Sequence, residues 1–256
     1  MTALLAVDVG NSETKLGLLE QERPRTELHF PTGAHEPSES IADLVARAPV
    51  RPAAAAMCSV VPAATEMWQI ALRDAVGAEA FVVEGDTDVG MRNCYAEPAT
   101  LGPDRLVGAL AARELYGAPV IVVSLGTATV INVVSRTGEF LGGAIAPGVE
   151  TSLAALEEKA ARLLPVRFEA APRVIASDTR SAMTAGAFFG VLGQVKELLA
   201  RARAELGEPA PAVLTGGRAE LIARELDNIA GVEPALNLIG LRLAWAYHEE
   251  AASRTE

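Results

Sequence analysis

A carboxylate and a guanidinium stand side by side at Asp104 and Arg105, after Gly102-Pro103 and just before an apolar helical run. The first turn of a helix carries unpaired N–H groups and a partial positive charge, which favour an anion. A carboxylate there can accept a proton from a substrate hydroxyl, while the adjacent cation can hold an anionic substrate group. The alternative is that Asp104 is a plain helix cap, which is the commoner role of Asp at a helix start.

A second candidate site is the segment Asp8–Lys15, which follows the apolar run LLAV near the start of the chain. A carboxylate at the end of a buried strand is costly unless a metal, water or donor accompanies it. Gly10 lets the backbone turn tightly and approach a ligand, and Lys15 can offer a point charge to a phosphate. This pattern indicates a phosphate-binding hairpin, although an ordinary Asn- and Gly-containing turn has the same residues.

Two further turns carry glycine and hydroxyl groups. In SLGTATVINVV, Gly126 permits a turn and the hydroxyls of Thr127 and Thr129 follow it; a strand with one polar face is the alternative interpretation. In LTGGRAEL, Gly216-Gly217 ends a predicted strand before a helix, where a ring or ribose can lie against the backbone. A helix cap would use the same two glycines.

Composition excludes several classes of protein. The net charge of −11 argues against a broad nucleic-acid surface, which requires a basic face. Two cysteines are too few for a disulfide framework or a zinc site, and the three scattered histidines match no metal-ligand spacing. No segment has the length and character of a transmembrane helix or a signal peptide, so we expect a cytoplasmic protein without membrane contacts.

The predicted elements form two similar halves. A strand, a tight glycine turn and a returning strand occur near 4–19 and again near 120–135, and each opens a mixed α/β half. Residues 20–38 are predicted to be a loop, followed by a helix over 38–48 capped by Ser38, and a later helix is predicted over about 150–162. The duplication resembles the actin/hexokinase/Hsp70 ATPase fold, with halves at 1–117 and 118–256, an interdomain cleft, and a last helix that could pack back on the first half.

The chain also resembles one family, the type III pantothenate kinases, which includes proteins once named Bvg accessory factors. The resemblance extends over roughly residues 3 to 245, and its most specific parts are the string from Tyr95 through Pro98 to Gly102-Pro103-Asp104-Arg105 and the GGAIAPG turn. The matching segments, in chain order, are DVGNSETK, CSVVP, YAEPATLGPDR, GTAT, GGAIAPG, SDTRSAMTAG and LTGGRAEL.

This resemblance implies a kinase that uses ATP and Mg²⁺ to make 4′-phosphopantothenate, the first step toward coenzyme A. It implies that Thr127 contacts ATP, that the Gly216-Gly217 turn lies near the nucleotide, and that Thr179 reaches the pantothenate pocket of the other subunit of a homodimer. The residues implied to bind the phosphates are Asp8, Val9, Gly10, Asn11, Ser12, Glu13, Thr14 and Lys15, with Asp8 also serving Mg²⁺ through phosphates or water. Those implied to hold pantothenate are Tyr95, Gly102, Pro103, Asp104 and Arg105, with Asp104 as the base.

The chain departs from the family pattern at Ser124, where the family usually has an Asp and binds K⁺ or NH₄⁺, and at Asn132, which replaces a second Asp. A neutral hydroxyl removes the charge that would attract a cation, so we hypothesise weak or absent K⁺ activation. The alternative is an impaired homologue that acts as a binding or regulatory protein. A different sugar-kinase-like or ATPase activity is a third interpretation, which the pantothenate-side string disfavours. The residues alone leave open whether Arg105 binds the pantothenate carboxylate or the transferred phosphoryl group.

Overall fold

Ten strands and seven α-helices are formed by residues 3–21, 23–48, 50–160 and 163–254, the part of the chain that the computed structural model describes. Residues 161 and 162, the end of the helix predicted over 150–162, lie outside the described residues. So do the first two and the last two residues of the chain, which belong to the predicted halves 1–117 and 118–256. The chain divides into two compact units. The first comprises the described residues of Met1–Gly117, Gly138–Leu141 and Ala235–Glu256, and the second those of Ala118–Thr137 and Gly142–Pro234.

The first sheet has the strand order β3-β2-β1-β4-β5. Its β1–β2 and β2–β3 pairs are antiparallel, whereas β4 and β5 add in parallel. Its strands are β1 (Leu4–Val9), β2 (Glu13–Leu19), β3 (Pro24–Pro31), β4 (Ala54–Ser59) and β5 (Phe81–Val83). The helices of this unit are α1 (Pro37–Ala46), α2 (Pro62–Val76), α3 (Pro103–Tyr116) and the last helix of the chain, α7 (Leu236–Ser253).

The second sheet, read from β8, repeats this order as β8-β7-β6-β9-β10. As in the first sheet, the central hairpin pair, β6–β7, is antiparallel, and the two following strands, β9 and β10, add in parallel. Its strands are β6 (Val120–Leu125), β7 (Ala128–Val134), β8 (Phe140–Pro147), β9 (Ala212–Thr215) and β10 (Ile229–Val232). Its helices are α4 (Val149–Lys159), α5 (Thr179–Leu206) and α6 (Ala219–Ala223). The predicted duplicated α/β fold is therefore confirmed by the repeated strand order.

The loop predicted over 20–38 is wrong, because Pro24–Pro31 forms the edge strand β3. Its alternating exposure is typical of an edge strand, where terminal prolines cost no ladder hydrogen bond. The cap of α1 is also two residues earlier than predicted: Glu36 is the N-cap and Pro37 occupies the first turn, where its missing N–H is harmless.

The two faces of the first sheet have different roles. Leu5, Val7 and Val9 of β1 pack in a core with α1 and α2 residues such as Trp68 and Leu72. Since side chains alternate along a strand, the intervening residues of β1 lie on the opposite face, which α7 covers together with α3. Asp8 lies on that second face, at the end of β1.

In the second unit, one face of the sheet packs on α4 and α5 through Ile121, Val123 and Leu125 of β6. The alternation places Ser124 on the other face. No helix among the described residues is both long and apolar enough to span a membrane.

Candidate functional site

The hairpin between β1 and β2 is braced at its tip. Gly10 N–H donates to the Glu13 carbonyl (3.0 Å), and a Cβ at Gly10 would lie 2.8 Å from that same oxygen. The hydroxyl of Thr32 donates to the Gly10 carbonyl (2.6 Å) and lies 2.9 Å from the Thr14 hydroxyl. Asn11, Ser12 and Glu13 are exposed at the tip, as a ligand-binding turn requires. The predicted segment Asp8–Lys15 is thus one continuous structural element.

Asp8 lies between two register partners, Lys15 on β2 and Cys58 on β4. Its carboxylate is buried, with 7% exposure, and accepts hydrogen bonds from Asn237 Nδ2 (2.8 Å) and Cys58 Sγ (3.4 Å). Burial raises the pKa of the Asp8 carboxyl, while the Asn237 hydrogen bond, the Lys15 charge and the Cys58 thiol oppose that rise. Burial, together with the charges of Asp8 and Asp104, holds the pKa of the Cys58 thiol well above its usual range.

Asp104 lies in the first turn of α3, whose N-cap is Gly102. The Arg105 N–H donates to the Gly102 carbonyl (3.0 Å), which closes the first turn, and a Cβ at Gly102 would stand 2.5 Å from Asp104 Oδ1. Burial first, and the charge of Asp8 second, raise the pKa of the Asp104 carboxyl from 3.8 to about 6. Asp104 is therefore an acidic residue of the first helical turn whose carboxyl has a pKa of about 6, so it can act as a base near neutral pH.

Arg105 is 7% exposed and is held between two aromatic rings. Its guanidinium carbon lies 5.4 Å from the ring centre of Tyr95 and 5.8 Å from that of Phe140, and Nη1 donates to the Tyr95 hydroxyl (3.4 Å). The chain around Tyr95 pairs with Phe140, because Cys94 N–H donates to the Phe140 carbonyl (2.9 Å). Phe140 lies outside the motifs of the sequence analysis, and its sequence context gives no signal that it contacts Arg105.

A cavity of about 620 Å³ adjoins the start of α3. It is lined by the end of β4, the start of α2, the end of β5 and the segment Ala99–Pro103. In its wall, the Thr65 hydroxyl donates to Ser59 Oγ (2.9 Å). The volume lies within the usual range for small-ligand sites.

The turn at the end of β6 is closed by hydrogen bonds within the second unit. The Thr127 carbonyl accepts from Thr151 Oγ1 (2.7 Å) and from Gly148 N–H (3.0 Å). The backbone of Gly216 lies directly against Leu125 and has φ of +95°, a conformation that favours glycine. The GTAT, GGAIAPG and LTGG segments therefore meet at one turn, with the Thr127 side chain exposed.

Ser124 is opposite Val130 on β7 and beside Thr215 on β9. Neither partner carries a charge. Asn132, two register positions away opposite Val122, is 2% exposed. Across the described ranges 3–21, 23–48, 50–160 and 163–254, no group of three or more His, Cys, Asp and Glu is arranged to hold a metal ion.

Thr179 is the first residue of α5 and is exposed. The preceding Asp178 caps the helix, since its carboxylate accepts a hydrogen bond from Ser181 N–H (2.9 Å). Thr179 lies at one end of a groove of about 660 Å³ between α4 and α5, whose lining includes Leu153 and Met183.

Solved structures with the same architecture include a conserved Baf family protein from Campylobacter jejuni, with a TM-score of 0.62 and 18% identity over 96% of this chain and 99% of that one. An inorganic polyphosphate/ATP-glucomannokinase from Arthrobacter sp. strain KM has a TM-score of 0.51 and 15% identity, covering 98% of this chain and 100% of its own. With the repeated sheet order, these likenesses define a protein of the actin/hexokinase/Hsp70-like ATPase fold.

Sequence comparison identifies the family to which the chain belongs. The family model for type III pantothenate kinase matches residues 4–201. The type III pantothenate kinase of Parafrankia sp. (strain EAN1pec) is 40% identical over 252 residues, which cover 96% of this chain and 99% of the relative. The chain belongs to the type III pantothenate kinase family, as its motifs predicted.

Proposed function

We propose that the chain transfers the terminal phosphoryl group of ATP to the primary hydroxyl of pantothenate, with Asp104 as the general base. The observation that carries this assignment is a partly buried carboxylate, fixed at the start of α3, whose pKa is raised to about 6. A base is most effective when its pKa lies near the working pH. The new O–P bond forms as the bond to the β,γ-bridging oxygen breaks; the hydroxyl proton passes to Asp104, and ADP leaves.

The β1–β2 hairpin is the proposed phosphate site. Support comes from its exposed tip at residues 11–13, from the backbone bracing by Thr32, and from Lys15 beside Asp8. A divalent cation, Mg²⁺ in this proposal, fits here through a single carboxylate, Asp8, together with phosphate oxygens, because Mg²⁺ keeps several waters and needs few protein ligands. When bound, the cation would offset the charge of the phosphates.

Arg105 is the proposed partner of the pantothenate carboxylate. Neighbouring residues of an α-helix are about 100° apart around its axis, so Arg105 projects away from the direction of Asp104. Its guanidinium, held between Tyr95 and Phe140, suits a fixed anion at the far end of the substrate better than the phosphoryl group beside the base. The cavity next to Gly102 and Pro103 offers the space for the remainder of pantothenate.

A homodimer is proposed through the α4–α5 groove. Along α5, Gly186 and Gly190 line this groove, and a Cβ built on either would meet no other described atom within 4 Å. Leu156 on α4 is 48% exposed at the same groove. A second copy would cover these residues, and sedimentation equilibrium should give twice the chain mass.

The decisive experiment is a turnover assay with ATP, Mg²⁺ and pantothenate, in which ADP and a phosphorylated pantothenate are detected by mass spectrometry. Equal amounts of both products support the kinase. Nucleotide binding without either product would favour the regulatory alternative, for which the neutral Ser124 and Asn132 are the supporting residues. Production of ADP independent of pantothenate would indicate a different ATPase.

A further inference from the structure

Asp8 receives a donor on each carboxylate oxygen. Cys58 Sγ contacts Oδ1 at 3.4 Å and Asn237 Nδ2 contacts Oδ2 at 2.8 Å. A carboxylate has about four acceptor sites, so two donors fix its plane and leave further lone pairs for a ligand. The thiol is a weak donor, whereas the amide is a strong one at short distance. Asn237 is therefore the main restraint on the orientation of Asp8.

Asn237 reaches Asp8 from 229 residues away in sequence, from the first turn of α7. The N-cap residue of α7 is Ala235, whose methyl side chain cannot accept a hydrogen bond from the first N–H groups of the helix. Asn at a helix start commonly satisfies the helix's own N–H groups. Here the amide is instead directed at a carboxylate on another element, which a purely local role does not explain.

The crossing of α7 over α3 sets the place of this amide. A Cβ at Gly108 of α3 would lie 2.8 Å from Asn237 Oδ1, and the backbone of Gly240 on α7 lies against the Val107 carbonyl. The two glycines therefore let the helices approach closely at this point. Gly108 is one helical turn beyond Asp104, so the same crossing connects the helix of the proposed base with the restraint on Asp8.

We propose that Asn237 is a positioning residue that orients the Asp8 carboxylate for the nucleotide, and that Gly108 provides the space it needs. This inference deepens the proposed function and rests on it for the identity of the reaction. It assigns a role in the phosphate site to α7, the last helix of the chain, which none of the motifs includes.

The test compares Asn237→Leu, which keeps the size but removes the donor, with the unmodified chain. We expect kcat to fall by about 10- to 100-fold, as is typical when an outer restraint on a functional carboxylate is lost. The affinity for a non-hydrolysable ATP analogue with Mg²⁺, measured by calorimetry, should also fall, while the KM for pantothenate stays within about twofold. Gly108→Ala should reproduce these changes in part by displacing the amide.

Two controls separate positioning from stability. Leu238→Ala removes a fully buried neighbour on α7 and should lower the melting temperature without the change in nucleotide affinity. Gly193→Ala is matched to Gly108→Ala, because it also lies within a helix but a Cβ there meets no described atom within 4 Å. It should leave kcat and nucleotide affinity unchanged.

A double-mutant cycle decides the mechanism. If Asn237 acts through Asp8, Asn237→Leu should cause little further loss of nucleotide affinity in an Asp8→Asn background. A full additional loss in that background, or losses in Leu238→Ala equal to those in Asn237→Leu, would overturn the proposal. The binding arm of the cycle needs no turnover. If the wild-type chain binds nucleotide but makes no phosphopantothenate, the proposed reaction is refuted. The binding measurements of the cycle would still decide whether Asn237 positions Asp8.

Discussion

The ends of β1 and β6 occupy equivalent places in two sheets of the same strand order, yet their side chains differ in charge. In the first unit Asp8 lies opposite Lys15 and beside Cys58. In the second unit Ser124 lies opposite Val130 and beside Thr215. Both units thus share the same strand order. Among the residues just named, ionisable side chains lie only at the end of β1.

This difference shows where the chain accepts an energetic cost. Burying the Asp8 carboxylate disfavours its charged form, and the structure offsets this with an amide, a thiol and a nearby lysine. The Ser124 position needs no such compensation, because a hydroxyl carries no charge. We interpret the end of β1 as the place where charge is needed for phosphate binding and proton transfer. At the end of β6, we interpret the backbone of the turn, and not a charged side chain, as the functional part.

The largest expected effect comes from Asp104→Asn. Losing the base should lower kcat by about 10²-fold or more, because the amide cannot accept the hydroxyl proton. Steady-state assays of ADP release measure it. The matched control is Asp43→Asn, because Asp43 is an exposed carboxylate on α1 that pairs with Arg47. This variant should retain full activity. Full activity in Asp104→Asn would remove Asp104 from the proposed role.

The same variant should be more stable than the wild type at pH 8. The folded-state pKa of Asp104 lies above its ordinary value of 3.8, so its contribution to stability is fully present below pH 3.8 and is lost as the pH rises through about 6. A neutral amide avoids this loss, which amounts to as much as about 3 kcal/mol. Thermal unfolding at pH 8 and pH 4 should show a difference between the two proteins that shrinks at the lower pH.

Arg105→Leu should mainly affect binding of the acidic substrate. Losing a charge-assisted contact should raise the KM for pantothenate by about 10- to 100-fold. Pantothenol, the alcohol analogue without the carboxylate, should show a much smaller change, which a comparison of KM values for the two substrates would reveal. An equal fall in kcat for both substrates would place Arg105 at the phosphoryl group instead.

The dependence of kcat/KM on pH should reflect the protonation of Asp104, which belongs to the first unit. Since the pKa of Asp104 is raised to about 6, kcat/KM for pantothenate should fall about tenfold per pH unit below that value. The profile is measured between pH 5 and 8.5 at constant ionic strength. A flat profile down to about pH 5 would indicate that no base of this pKa limits the free enzyme.

The two hairpins should also respond differently to added bulk. Gly10→Ala brings a Cβ to 2.8 Å from the Glu13 carbonyl and should cost about 1 to 3 kcal/mol of unfolding free energy. Gly126→Ala meets no described atom within 4 Å and should stay within about 0.5 kcal/mol of the wild type. Chemical denaturation measures both. Equal destabilisation would show that the turns have the same steric requirements.

The smallest expected effect is the response to K⁺. With Ser124 and its uncharged register partners, turnover in K⁺ should stay within about twofold of turnover in Na⁺. Ser124→Asp places a carboxylate at the position equivalent to Asp8 and should introduce K⁺ dependence. Strong K⁺ activation of the unmodified chain would show that other groups bind the cation.

The hairpins, the duplicated fold and the start of α3 were predictable because each depends on local sequence. Apolar runs ending in Gly turns, and Gly-Pro before an acidic first helical turn, have few structural interpretations. The edge strand β3 was not predicted, since its terminal prolines and charged residues resemble a loop. Phe140 and Asn237 were missed because an aromatic residue in a strand and an Asn in an apolar helix usually have structural roles.

The sequence by itself determined the family, the two strand–turn–strand units and the identity of the ionisable residues, because these follow from residue types at short spacing. Only the tertiary structure decided which of these residues share an environment. The register of β1 against β2 and β4 places Lys15 and Cys58 beside Asp8, and the crossing of α3 and α7 brings Asn237 there. Burial and the proximity of charges shift the pKa values, and both depend on contacts between residues far apart in the chain.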